Sequence, residues 1–292
     1  MKKHTIALFF VVLFFIQLCV SQSDKNITLD NMYPWCIVAF DSIERSPKER
    51  ILMLKELGFS KYAFDWRNKD LDEAKNELLM AKENNIEVIS VWLWLNAKRD
   101  SFNVLSPANN RMLEIIKNSN LKTTIWLSFS PNFFEGNSQE KSMAIATDMI
   151  KLVHKKAIEI DCNVALYNHR GWFGDTKNQI ALIKALPQYN LSMVYNFHHA
   201  HDYLADFPQI VKKITPYLSA VNLNGMRKEG PKILPIGEGD WETNMINLLI
   251  DAGYSGPWGI LGHVENRDVQ QVLEQNILGL NTLKMNGKSI DR

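Results

Sequence analysis

The densest chemistry in this chain is the run Tyr195-Asn196-Phe197-His198-His199-Ala200-His201-Asp202, with three histidines in four residues just after a β-branched and aromatic stretch. Packing accounts poorly for such a run, whereas imidazole is the side chain suited to proton transfer or metal binding near neutral pH. Two shorter clusters have the same setting: Tyr167-Asn168-His169-Arg170, and His263 with Glu265. Further polar and aromatic groups follow other apolar runs, namely Asp41, Asp65-Trp66-Arg67, Trp94 with Asn96, Trp126, and Asn222 with Asn224. Five of the seven histidines fall in these places, while His154 lies inside a helical period and belongs on the surface.

Side chains so far apart in sequence act together only if the fold gathers them. Short β-branched or aromatic runs alternate with amphipathic helical segments to the end of the chain, the pattern of parallel strands joined by helical crossovers. Strands are expected near Trp35 to Asp41, Lys61 to Trp66, Glu87 to Leu95, Lys122 to Phe129, Asn163 to Asn168, Ser192 to Asn196, Ala220 to Asn224 and Trp258 to His263. Helix starts are marked by Ser46-Pro47 with Glu49, a capping box with Pro at the first helical position, and by Ser106-Pro107. Leu57-Gly58 and Ala252-Gly253 mark helix ends. Eight such pairs imply an α/β fold, a single-domain (β/α)8 TIM barrel over residues 34–288, whose active site lies at the C-terminal strand ends, where the clusters above sit. An open doubly wound sheet is the other arrangement of this pattern, and no Gly-rich phosphate fingerprint follows any strand to support it.

Composition sets the boundaries. The chain has 292 residues, 33 Lys plus Arg against 32 Asp plus Glu, and a formal charge of +1, so no broad field favours nucleic acid or an anionic membrane. A small-molecule partner is expected. Lys2-Lys3, the apolar run Ile6 to Ile16 and Cys19-Val20-Ser21 have the form of a signal peptide over residues 1–21, followed by a flexible lead-in over 22–33, and imply an exported, periplasmic or secreted protein. Leu18 before Cys19 makes a lipoprotein the lesser alternative, and no later stretch suits a membrane span. Cys36 and Cys162, near different strand starts, are expected to be buried free thiols.

Other groups have two readings. Trp92, Trp94 and Trp126 either fill the barrel or offer a stacking face to a sugar. Asp65 and Arg67 form an ion pair capping the barrel or face the substrate. In Leu234-Pro235-Ile236-Gly237-Glu238-Gly239-Asp240, the flanking glycines let the backbone turn tightly, either presenting the Glu238 carboxylate or simply closing a loop.

Several motifs in order resemble the xylose isomerase-like barrels, which include sugar phosphate isomerases and epimerases and, more distantly, apurinic endonucleases. The resemblance spans about Val164 to Leu283 and rests on Leu166-Tyr167-Asn168-His169-Arg170-Gly171-Trp172, Asn196 to His199, Asn222-Leu223-Asn224, the Leu234 to Gly239 loop, and Gly253-Tyr254-Ser255-Gly256-Pro257. Family members commonly hold a divalent metal through Glu, Asp, His, His and Glu; the matching positions here carry Tyr167, Asn196, His199, Asn222 and Leu261 or a neighbour, so only His199 is kept. Loss of the carboxylates removes most affinity for a hard cation. A different site for zinc or another divalent transition metal has His169, His199, His201 and His263 as its candidate ligands.

The resemblance implies removal of a proton next to a sugar carbonyl, as in isomerases, epimerases and lyases, with 3-keto-glycoside elimination among the options. His199, His169, Glu238 and His263 are then the acid and base candidates. Asn168, Asn196, Asn222 and Asn224, with Asp65, Trp94 and Trp126, are the substrate-binding candidates, and Arg67 or Arg170 faces the oxyanion. Export and the want of an obvious basic cluster at the strand ends argue against a sugar phosphate. The alternative from another class is a non-catalytic saccharide-binding barrel that has lost the metal site.

Overall fold

A computed structural model describes residues 27–285, 288 and 289. The expected signal peptide and the first part of the lead-in lie outside these residues. Eight strands form one sheet: β1 (Met32–Trp35), β2 (Lys61–Phe64), β3 (Glu87–Leu95), β4 (Thr124–Phe129), β5 (Asn163–Tyr167), β6 (Ser192–Asn196), β7 (Leu218–Leu223) and β8 (Trp258–Leu261). Every ladder is parallel, and β1 pairs with β8, which rolls the sheet into a (β/α)8 barrel. The helices that cover it are α1 (Pro47–Glu56), α2 (Leu71–Glu83), α3 (Pro107–Asn118), α4 (Gln139–Ile158), α5 (Gly171–Gly174), α6 (Thr176–Ala185), α7 (Phe207–Ile214), α8 (Glu242–Asp251) and α9 (Val269–Leu280). A short antiparallel pair, β9 (Lys284–Met285) with β10 (Lys288–Ser289), follows.

The local signals act as expected. Ser46 and Glu49 close a reciprocal capping box at α1, and Ser106 accepts from Asn109 N at α3. The first strand is the main departure. It occupies Met32–Trp35 instead of Trp35 to Asp41, and Ile27, Met32 and Tyr33 are buried, so the chain is already packed within the expected lead-in. The apolar run Cys36-Ile37-Val38 mimics a strand in sequence, yet Cys36 adopts φ 60° and breaks the extension.

Asp65 explains that break. The ladder has no pairing between β1 and β2, and across this seam the Asp65 carboxylate accepts from Ile37 N at 2.8 Å, Val38 N at 3.1 Å and Ala39 N at 3.2 Å. Fully buried, it satisfies three backbone donors that the missing ladder leaves free. Asp65 thus serves the turn, and it makes no ion pair with Arg67.

The barrel interior is aromatic. Tyr33, Trp35, Trp126 and Tyr167 fill it, and small Ala63, Ala165 and Ala220 on neighbouring strands make room for them. Gly259 is required in the same way, because a Cβ there would lie 2.1 Å from Asn222 Oδ1 and 2.7 Å from the Tyr33 ring. The two cysteines are buried free thiols, Cys36 beyond the end of β1 and Cys162 just before the start of β5. Among the described residues no helix is long and apolar enough to cross a membrane.

Candidate active site

At the C-terminal ends of the strands the interior aromatics become a hydrogen-bonded floor. Tyr167 OH, at the end of β5, accepts from Trp35 Nε1 at 3.1 Å and from Asn196 Nδ2. Tyr33 OH donates to Asn222 Oδ1 at 2.8 Å. The Tyr167 ring lies against Trp126 at 5.9 Å between centroids, and Trp126 against Trp35 at 5.0 Å. Burial pushes the Tyr33 and Tyr167 phenols up, so both stay neutral.

Above this floor stands a rim of imidazoles. Ring centroids are 4.5 Å apart for His169 and His199, 4.6 Å for His198 and His199, and 5.8 Å for His198 and His263. They come from the loops after three different strands, β5, β6 and β8. An inner compartment is lined by His169, His198, His199 and His263 with Phe40, Asp65, Arg67, Trp92, Tyr167, Arg170 and Asn196. It shares His169, Arg170, His198 and His199 with an outer compartment of about 330 Å³, which adds Asn168, His201, Asp202, Tyr203 and Lys232. A third hollow, of about 310 Å³, adjoins through Arg67 and Trp92 and includes Trp94.

The imidazoles of the rim are kept uncharged. Burial first, then the positive field of Arg170 and the neighbouring imidazoles, pushes His169 down to about 3. Burial also pushes His198 down to about 4 and His199 well below the ordinary imidazole value. His263 is lowered by burial but opposed by Glu265, whose Oε1 lies 3.1 Å from its Nε2. Its ring stacks on Phe40 at 3.6 Å between centroids.

The sequence candidates divide into three groups. His169, His199 and His263 converge on one mouth, with Arg67 and Arg170 beside them. Arg67 sits over Trp92 at 4.9 Å and Phe40 at 5.4 Å, and Trp94 packs edge-on to His169 at 4.7 Å. His201 joins only the outer compartment.

Asn168, Asn196, Asn222 and Asn224 reach the strand ends, where the protein takes up most of their amide atoms and leaves Asn222 Nδ2 and Asn224 Oδ1 without partners. Asn168 clasps the backbone of Asn196, accepting from its N at 2.7 Å and donating to its O at 3.3 Å. Asn196 Oδ1 also accepts from His198 N at 3.0 Å, and Asn224 donates to Gly225 O at 2.8 Å. Trp126, 1% exposed, is part of the interior and offers no face to a ligand.

Glu238 lies outside the mouth. It is exposed and accepts from Gln275 Nε2 at 2.9 Å. The glycines beside it serve another residue: a Cβ on Gly239 would fall 2.1 Å from Glu242 Oε2 and 2.2 Å from Met226 N. Buried Glu242 accepts from Met226 N, Gly237 N and Gly239 N at 2.9, 3.1 and 2.9 Å and so ties the loop down. Sequence reasoning also missed Lys232, Phe40 and Tyr203, whose loops carry no local signal of where they fold back.

The floor does not suit a cation. At the positions matching the family's metal ligands, Tyr167, Asn196 and Asn222 turn amide and phenol groups on each other, and Asn222 Nδ2 is a buried donor without a partner. The four candidate imidazoles do not form a ligand set either. His201 and His263 line different compartments, and among the described residues no group of three or more His, Cys, Asp or Glu is placed to hold a metal.

No family model and no curated protein matches the chain in sequence. Solved structures do match in shape. 3-Keto-D-glucoside 4-epimerase (YcjR) from E. coli superposes with a TM-score of 0.58 at 14% identity, over 85% of this chain and 98% of that one. D-Psicose 3-epimerase, solved in the presence of D-fructose, gives 0.61 at 14% identity over 85% and 96%. The IolI protein, solved with a zinc atom, gives 0.62 at 11% identity over 85% and 95%. The fold is that of the xylose isomerase-like barrels. At these identities the likeness is one of architecture, and the chemistry of the mouth must be argued from its own residues.

Proposed function

We propose that this barrel is a sugar-active enzyme of the isomerase, epimerase or lyase type that removes a proton next to a sugar carbonyl, acting outside the cytoplasm on a glycoside oxidised at C3. The observation that carries the reading is the convergence of His169, His199 and His263 from three separate loops on one pocket backed by Arg67. Proton abstraction needs a base, a group for the developing oxyanion and a pocket that limits water.

His263 is the base in this scheme. With Nε2 held by Glu265, the proton is accepted at Nδ1, and the carboxylate stabilises the imidazolium that results. The neutral rings of His169 and His199 donate to substrate oxygens, and the Arg67 guanidinium faces the enolate oxygen. In 3-keto-glycosides the ketone acidifies the proton on C2; its removal gives an enolate that is either reprotonated or expels the aglycone from C1. The epimerase neighbours support the same class of intermediate.

Incubation with a 3-keto-glycoside in deuterated water checks this. Deuterium at C2 or release of the aglycone is expected. If the protein binds the compound and neither occurs, the chain is a saccharide-binding barrel without turnover.

A further inference from the structure

The sequence shows no basic cluster at the strand ends, yet the fold assembles one. Arg170 and Lys232, 62 positions apart in the chain, both line the outer compartment, and Arg67 lies in the adjoining inner one. Their charges are not neutralised by the protein. Among the described residues neither Arg170 nor Lys232 takes part in an ion pair, and Asp202 is the only acid lining the outer compartment. Asp65, the acid of the inner compartment, is consumed by three backbone donors. In a chain of net charge +1 this excess is local.

A second feature points the same way. His169 Nδ1, in a residue that lines the outer compartment, is buried without a hydrogen-bond partner. A buried polar nitrogen left unpaired costs free energy that an incoming acceptor can recover. Two cations beside this unused imidazole nitrogen make a receptor for a planar anion with several acceptor lone pairs. Exposed Tyr203 adds an aromatic face beside them.

We propose that the outer compartment holds the carboxylate of an acidic saccharide, a uronic acid or its glycoside, between Arg170 and Lys232, with the sugar ring reaching inward to His169 and His199. This rests on the reading of the mouth as a saccharide pocket. Guanidinium matches carboxylate geometry in two parallel hydrogen bonds, and the Lys ammonium adds a point charge.

Titration calorimetry on the purified protein with D-glucuronate, D-glucose and D-glucose 6-phosphate tests it. Glucuronate is expected to bind at least about tenfold more tightly than glucose at low salt, with the gap narrowing severalfold in 0.5 M salt as screening shortens to a few ångströms. In the Arg170→Gln/Lys232→Gln double variant, two exposed substitutions, the glucuronate-to-glucose ratio should fall to about one. Equal binding of glucuronate and glucose by the unmodified protein, or a ratio unmoved by the double variant, overturns the carboxylate assignment and leaves the saccharide reading standing. Tighter binding of glucose 6-phosphate than of glucuronate overturns it in favour of a phosphate site. Binding of none of the three overturns the carboxylate assignment, and the 3-keto-glycoside incubation then decides the saccharide reading.

Discussion

The floor and the rim of this mouth lie within a few ångströms of each other and are built on opposite terms. On the floor, Tyr33, Trp35, Tyr167, Asn196 and Asn222 spend most of their polar atoms on one another. On the rim, imidazole nitrogens stand without partners and cationic side chains without counter-ions. Buried polar groups that satisfy each other rigidify a structure, whereas groups held ready for a ligand leave part of their interaction energy unused. The floor is therefore architecture, and the rim keeps polar groups available to a ligand.

The sharpest break of that contrast would come from a pair of substitutions. His263→Gln should lower turnover on a 3-keto-glycoside about 10²–10⁴-fold, the usual worth of a general base, with little change in urea unfolding. Tyr167→Phe should do the reverse, costing about 2–4 kcal/mol because Trp35 Nε1 and Asn196 Nδ2 both lose their acceptor. Equal destabilisation by both would dissolve the distinction.

A smaller effect comes with pH. In the unfolded chain the rim histidines titrate near about 6.5, whereas burial holds His169 at about 3 and His198 at about 4 in the fold. The unfolded state thus binds more protons below about 6.5, and stability should rise with pH across the window from about 3 to about 6.5. Unfolding midpoints measured from pH 7 down to 4 should fall, and His169→Gln combined with His198→Gln should flatten the slope. An unchanged slope would mean that the rim is solvated.

The smallest effect is expected at Glu238. Its replacement by Ala should change stability by less than about 0.5 kcal/mol, as at other exposed sites, and should leave turnover intact. A large loss of turnover would bring that loop into the mouth and redraw the rim.

The barrel itself was legible in the chain. Alternating strand and helix periods, the Ser46 and Ser106 caps and the clustering of histidines after strands are local properties, and local hydrogen bonds and burial enforce them directly. The errors fell where local pattern and tertiary role diverge. Cys36-Ile37-Val38 has strand composition but turns under Asp65, and in Gly237-Glu238-Gly239 the carboxylate stays exposed outside the mouth while Gly239 makes room for Glu242. The amides stand at the expected strand ends, and side-chain type did not reveal how many of their hydrogen bonds neighbours such as Tyr33, Tyr167 and His198 claim.

From the sequence alone came the order of elements and the identity of the imidazoles, because backbone periodicity and residue chemistry are carried by short stretches of chain. Tertiary structure decided which polar groups are consumed and which are left for a ligand: Asp65 spent on a seam, Tyr167 and Asn196 on each other, Arg170 and Lys232 left without an ion pair at one compartment. Those outcomes depend on atoms brought together from distant strands, where burial and partner geometry, not residue type, set the free energy of each group.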